Sequence, residues 1–100
     1  MDSSIDIKLP VGSPSAKCIS ITRKHTGLSI AEIKKRAADN APILQCEDID
    51  DEGIGAIMRL YSDLADAGIA PRLYENGRTC TYEFLADTLG FFEWADDNAD

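Results

Sequence analysis

The chain is poor in the residues that carry most protein chemistry. It has one histidine, His25, and three cysteines spread over 100 residues without a Cys-x-x-Cys pair. A structural zinc site needs about four Cys or His ligands at paired spacing, and a disulfide framework needs an even, clustered set, so the sequence argues against both. We expect at least two of the cysteines to be small buried apolar residues. They are Cys18, Cys46 and Cys80.

Long apolar runs and a targeting segment are also missing. No stretch approaches the roughly 20 apolar residues that span a bilayer. The N-terminus lacks the basic-then-apolar pattern of a secretory signal. The length of 100 residues suits a single domain, with residues 1–4 and 96–100 as flexible ends. These features predict a cytoplasmic protein without a membrane partner.

Charge is divided unevenly along the chain, whose net charge is −8. Residues 1–46 hold seven Lys or Arg against four acids, a net of +3, and residues 47–100 hold fourteen acids against three Arg, a net of −11. So acidic a half would repel phosphates, which argues against nucleic acid as a partner. It suits either simple solubility or a basic protein partner.

The clearest local signal is the sequence TGLSIAEIKK at residues 26–35. Ser29 and Glu32 have the spacing of a capping box, in which each side chain satisfies a backbone N–H of the other residue. Apolar residues follow at helical spacing, and Pro42 ends the pattern. A helix over residues 29–40 is therefore predicted. Its apolar stripe is Ile30, Ile33, Ala37 and Ala41.

Other elements follow from periodicity. Alternating apolar residues predict a strand at 5–9, and a short apolar run predicts another at 43–46. A stripe at helical spacing predicts a helix over 50–67, with acids in its first turn where the helix dipole favours them. Residues 69–75 have the pattern of a strand, and Pro71 indicates an edge position. The helix stripe is Ile54, Ile57, Met58, Tyr61, Leu64 and Ala65.

Residues 16–25 leave two alternatives open. Their β-branched residues, Ile19, Ile21 and Thr22, favour a strand. Ser13 before Pro14 is instead a good start for a helix, because Ser can accept a first-turn N–H and Pro needs no acceptor. Periodicity alone does not decide between them.

The C-terminal quarter begins with a turn signal. Asn76-Gly77 between strand-like flanks predicts a tight hairpin, with a short return strand at 78–82 and a helix at 82–90. An aromatic cluster follows, which could cover the core or anchor a partner or a second copy of the chain. We expect a monomer or a weak homodimer. The cluster is Phe91, Phe92 and Trp94.

In their order and spacing, these elements resemble the C-terminal domain of the bacterial ribosomal stalk protein of the large subunit. The resemblance covers residues 5–75 and implies a helix over 13–25. It implies an α+β fold in which a three-stranded antiparallel sheet carries three helices on one face, as in the adaptor of the Clp protease. Residues 76–95 would then be a hairpin or helix extension. The matching residues are Arg23, Thr26, Gly27, Leu28, Ile30, Glu32, Lys34, Ala41, Pro42 and Leu64 to Gly68.

The stalk resemblance also implies a mode of action. The stalk domain docks translation factors through its first two helices, using basic residues. Arg23 and Lys34 stand at matching positions, whereas Ser20 and Ala31 stand where the family has lysine. The stalk protein's dimerisation domain and Ala/Gly-rich hinge have no counterpart here. We therefore expect a non-catalytic domain that binds a different protein. The docking residues expected on the basic side are Arg23, Lys24, Leu28, Lys34 and Lys35.

An acidic inhibitor or immunity-type protein is the alternative function. Its acidic half would cover the basic active site of a nuclease toxin, around Asp50, Asp51, Asp63 and Asp66. Electrostatic steering would make such association fast.

Chemistry has little support in the sequence. Residues 48–53 begin like a calcium loop, but its twelfth position, which requires a glutamate, is Arg59. His25 has no nucleophile defined by a motif, and no Gly-rich phosphate loop is present. We predict that the protein is not an enzyme and uses no cofactor or metal.

Overall fold

A computed structural model describes residues 4–87 of the chain. Three predictions fall outside the described residues. They are the aromatic cluster, the end of the helix predicted at 82–90, and the flexible ends at 1–4 and 96–100, apart from Ser4. Ser4, expected in a flexible end, begins the first strand. The elements are β1 (Ser4–Lys8), α1 (Ala16–Thr26), α2 (Ile30–Ala38), β2 (Leu44–Glu47), α3 (Asp51–Asp66), β3 (Arg72–Glu75), β4 (Arg78–Cys80) and the helical residues 82–87, here α4.

The strands form one antiparallel sheet in the order β2-β1-β3-β4. The predicted α+β class is confirmed, but the sheet has four strands instead of three, because the return strand of the hairpin pairs with β3. The edge position predicted from Pro71 is wrong. Pro71 lies before β3, where its missing N–H costs no ladder hydrogen bond, and β3 has a neighbour on each side.

The hairpin between β3 and β4 follows the predicted turn chemistry. Asn76 and Gly77 have φ angles of 53° and 83°, the left-handed values that a two-residue hairpin turn of this kind requires. The turn is also hydrogen-bonded to β1, which lies beside β3 in the sheet. The Ser4 N–H donates to Asn76 Oδ1 at 2.9 Å, and the Asn76 N–H donates to the Ser4 carbonyl at 2.9 Å.

Residues 16–25 are helical, so the strand alternative is wrong. Ser15 caps α1, its hydroxyl accepting a first-turn N–H at 3.1 Å, whereas Ser13 was the predicted cap. The β-branched Ile19 and Thr22 lie three residues apart on the buried side of the helix. Burial of this stripe against the sheet and α3 outweighs the intrinsic strand preference.

Helix α2 forms where the sequence predicts it, and half of the capping box is present. The Ser29 hydroxyl accepts the Glu32 N–H at 3.1 Å. The Glu32 carboxylate turns along the helix to Arg36 Nε at 2.8 Å, a contact that lowers the pKa of Glu32. The helix ends at Ala38, two residues before the predicted end, and Asn40 follows with a φ of 56°.

All helices contribute to one core on one face of the sheet. Ile30 and Ala65 were predicted to be buried and are exposed, while Leu60 was not predicted and is fully buried. Helix α4 joins this core through Leu85, and its Tyr82 ring lies 5.1 Å from that of Tyr61 in α3. Along residues 4–87, none of the helices has the length and apolar character that crossing a membrane requires. The apolar core is Ile5, Ile7, Leu9, Cys18, Ile19, Ile33, Ala37, Ile43, Ile54, Ile57, Leu60, Leu64, Leu73 and Leu85.

Candidate functional site

An open groove of about 370 Å³ runs between α1 and α2. It combines apolar side chains with three cations, and no acidic residue lines it. We refer to it as the α1–α2 groove. Its lining residues are Ala16, Ile19, Ser20, Arg23, Lys24, Ile30 and Lys34.

Helical spacing explains how the α1–α2 groove is built. Its residues on α1 recur three and four positions apart, which puts them on one face of that helix. On α2 the two lining residues, Ile30 and Lys34, lie one turn apart. Ile30 lies on the same side of α2 as the buried Ile33 and Ala37, but it is the first residue of the helix, where it lines the groove and remains 46% exposed. An apolar contact point is thereby left at the surface.

None of the three groove cations forms an ion pair in the described part of the chain, although Lys24 also lines a second recess together with Asp63 and Asp66. The ion pairs between residues 4 and 87 are His25–Asp63 and Arg36–Glu32. Arg23, Lys24 and Lys34 belong to neither. Three like charges beside one another repel, so an anionic group placed between them would be attracted.

The structure separates the remaining predicted docking residues from the groove. Leu28 is half-buried and packs against the core, where its N–H donates to Thr26 Oγ1 at 3.1 Å. Lys35 is exposed on α2 but does not line the groove. Sequence reasoning thus selected three residues that come together and two that lie apart from them.

Asp63 and Asp66 lie in a different recess, between α1 and α3, of about 270 Å³. Lys17 and Lys24 line the same recess. The Nε2 atom of His25 lies 2.6 Å from Asp63 Oδ2. The two aspartates therefore sit among basic groups and do not form a uniformly acidic face.

The His25–Asp63 pair is a polar arrangement that sequence reasoning missed. Its members lie 38 positions apart, so no local pattern could have indicated it. His25 is largely covered and Asp63 is half-exposed. In residues 4–87, no serine, threonine or cysteine side chain hydrogen-bonds to His25. The pair links α1 to α3.

Asp50, the residue before α3, has a structural role. The Asp50 carboxylate caps the helix by accepting the Gly53 N–H at 3.0 Å. Across residues 4–87, no group of three or more His, Cys, Asp or Glu side chains is arranged to hold a metal ion.

The three cysteines are free thiols. Burial raises the pKa of each of them. At Cys46 the effect is large: burial, followed by the carboxylates of Asp50, Asp6 and Asp48, raises the pKa from 9.0 to about 11. A thiol that keeps its proton is a weak nucleophile, so none of the three has the properties of a reactive cysteine.

Cys46 should make the protein less stable at alkaline pH. The folded state holds the thiol proton up to a pH of about 11, and the unfolded chain releases it near 9.0. Between these values the folded state binds more protons, so the free energy of unfolding should fall as pH rises. Urea unfolding of the wild type and of Cys46→Ala under reducing conditions checks this. The stability difference between them should be constant below pH 9.0 and shift in favour of Cys46→Ala above it. Parallel pH profiles would contradict the raised pKa.

No protein-family model, curated protein or solved structure matches the chain significantly. The resemblance to the stalk domain accordingly remains a prediction from the residues quoted above.

Proposed function

We propose that this domain is a non-catalytic protein-interaction module that docks its partner in the α1–α2 groove. The observation that carries the proposal is the position of the exposed Ile30 beside three cations that form no ion pair within residues 4–87. An apolar contact surrounded by charged groups is the usual construction of a protein interface. The resemblance to the stalk domain, which docks its factors through the corresponding two helices, supports the same surface.

The partner that fits this groove is a protein segment with acidic side chains around an apolar anchor. Arg23 and Lys34 come from different helices, so a segment lying along the groove can meet both. Nucleic acid fits less well. Single strands bind to grooves that offer aromatic stacking platforms, and no aromatic residue lines this one. The net charge of −8 would also repel a phosphate backbone. The expected location of this interaction is the cytoplasm.

An acidic inhibitor of a basic, nuclease-type toxin is the second candidate. It is favoured by the exposed acids at the start of α3, Asp50, Asp51 and Glu52. The contribution of Asp63 and Asp66 is weakened, because Lys17, Lys24 and His25 lie beside them. A toxin active site would have to meet the start of α3.

The partner can be captured through the groove itself. A photo-crosslinking amino acid at position 30 should attach the partner covalently. The same group at position 79, in β4, provides the control, since Thr79 is exposed and lies outside the groove. A protein crosslinked from position 30 and not from position 79 identifies the occupant.

Charge reversal then tests the groove against the acidic surface. With the captured partner, Lys34→Glu should weaken binding about tenfold, because a like charge would face its acidic side chains. Lys35→Glu makes the same change on the same helix outside the groove and should leave the dissociation constant nearly unchanged. Isothermal titration calorimetry measures both. If Lys34→Glu binds normally and an Asp51→Lys/Glu52→Lys variant does not, the inhibitor function replaces the proposed one.

A further inference from the structure

We propose that residues 88–100 of this chain occupy the α1–α2 groove when no partner is bound, so that a partner must displace them. The inference rests on the proposed function, since it assigns a regulator to the same surface. It gives a role to the aromatic cluster near the end of the sequence.

The composition of residues 88–100 complements the groove. The segment reads TLGFFEWADDNAD, with four acids and no Lys or Arg, so its net charge is −4. The groove offers an exposed isoleucine and three cations that form no ion pair with another described residue. Phe91, Phe92 and Trp94 provide the large apolar side chains that dominate interface binding energy. The pattern of acids around an apolar anchor, inferred above for the partner, is therefore present in the chain itself.

The described residues end at Asp87, in helix α4, and the length of chain beyond this point bears on whether it can reach the groove. Helix α4 is held by the buried Leu85, and its first residue, Tyr82, contacts Tyr61 of α3. Helix α3 packs on α1, and α1 on α2. Neighbouring helix axes lie about 8–10 Å apart, which puts the groove roughly 15 Å from α3. The seven residues from Asp87 to Trp94 can extend to about 23 Å. Binding within one molecule also benefits from a high effective concentration.

The other basic surface of the described residues is already engaged. On the sheet face opposite the helices, Lys8 Nζ lies 4.7 Å from the centre of the Tyr74 ring. Arg72 Nη2 donates to the Leu9 carbonyl at 2.7 Å and to Asn40 Oδ1 at 2.6 Å. Because Lys8 and Arg72 are engaged in this way, whereas Arg23 and Lys34 belong to no ion pair of the described residues, the groove is the better site for an acidic segment.

Trp94 reports on this contact directly, because it is the only tryptophan in the sequence. In the full-length protein at low salt, its emission should be shifted to the blue and its acrylamide quenching should be lower than in the urea-unfolded chain. Lys34→Glu should shift the emission to the red and raise the quenching constant towards the unfolded value. Lys35→Glu should leave both unchanged. Circular dichroism verifies that each variant is folded.

Three results would overturn the inference. The first is that acrylamide quenches Trp94 in the folded wild type as strongly as in the unfolded chain. The second is that Trp94 is equally protected in Lys34→Glu, Lys35→Glu and the wild type, which would mean that it covers another surface. Protection could also increase with protein concentration together with dimer sedimentation, which would make a second copy the occupant.

The partner titration separates this inference from the proposed function. If Lys34→Glu loses the partner while Trp94 is unprotected in the wild type, the groove docks proteins without self-occupation. If Trp94 responds to Lys34→Glu while the partner binds normally, the segment occupies the groove and the proposed docking surface is wrong.

Discussion

Replacing Leu60 by alanine should lower the free energy of unfolding by about 3 kcal/mol. Leu60 is 0% exposed and lies in the core between α3 and the sheet. Its truncation removes apolar contacts and leaves a cavity, since packed surroundings relax only in part. Small domains are stable by only about 5–15 kcal/mol, so this is a large share of the total. The thermal midpoint should fall by about 15 °C.

Arg59→Ala is the matched control for this prediction. Arg59 is the preceding residue of the same helix and is exposed. Arginine and alanine have similar helix propensities, so the change should stay within about 0.5 kcal/mol. Urea unfolding followed by circular dichroism measures both variants. A cost below about 1 kcal/mol for Leu60→Ala would be incompatible with its complete burial.

The second large effect is expected at Gly53, where alanine should destabilise the protein by about 2 kcal/mol. The helix propensity of alanine, about 1 kcal/mol better than that of glycine, predicts the opposite sign. The close approach of α3 to β2 decides the outcome. A Cβ atom at position 53 would lie 2.5 Å from the Cβ of Cys46 and 2.6 Å from Asp50 Oδ2. Either the strand or the cap of the helix must move.

Two further variants isolate this contact. Gly68→Ala places a Cβ in open space at a φ of +83°, so its cost of about 1 kcal/mol reflects backbone strain alone. Cys46→Gly removes the atom that Gly53→Ala would strike. In a double-mutant cycle, Gly53→Ala and Cys46→Gly should show a favourable coupling free energy of about 1 kcal/mol. If chemical unfolding shows that the two substitutions change the free energy of unfolding additively, the clash is relieved in another way.

The parts of the fold that the sequence predicted are those fixed by local chemistry. Ser29 caps a helix and Asn76-Gly77 makes a turn because each acts on residues within a few positions. The strand alternative for residues 16–25 failed because burial of Ile19 and Thr22 against distant residues decided the outcome. Pairing of β4 with β3 likewise depends on the whole sheet.

The candidate site also has a part that the local sequence could predict and a part that depends on how distant segments pack. Basic residues at helical spacing could be identified in the sequence, but their meeting across α1 and α2 depends on how the two helices pack. Ile30 was assigned to the core because its spacing from Ile33 fits a buried stripe, and only the orientation of α2 shows that it faces the groove. Asp63 was assigned to a docking face, although it contacts His25 from another helix.

The position of β1 has a consequence for how the chain is made. Within this domain β1 is synthesised before the other strands, yet it lies between β2 and β3, and its Ile5 pairs with both Cys46 and Glu75. The sheet therefore cannot close until most of the domain has been synthesised, and the apolar side of β1 must wait unpaired during elongation. Such long-range pairing slows folding. We therefore expect the folding yield of this domain to depend on how quickly β3 follows β1 during synthesis.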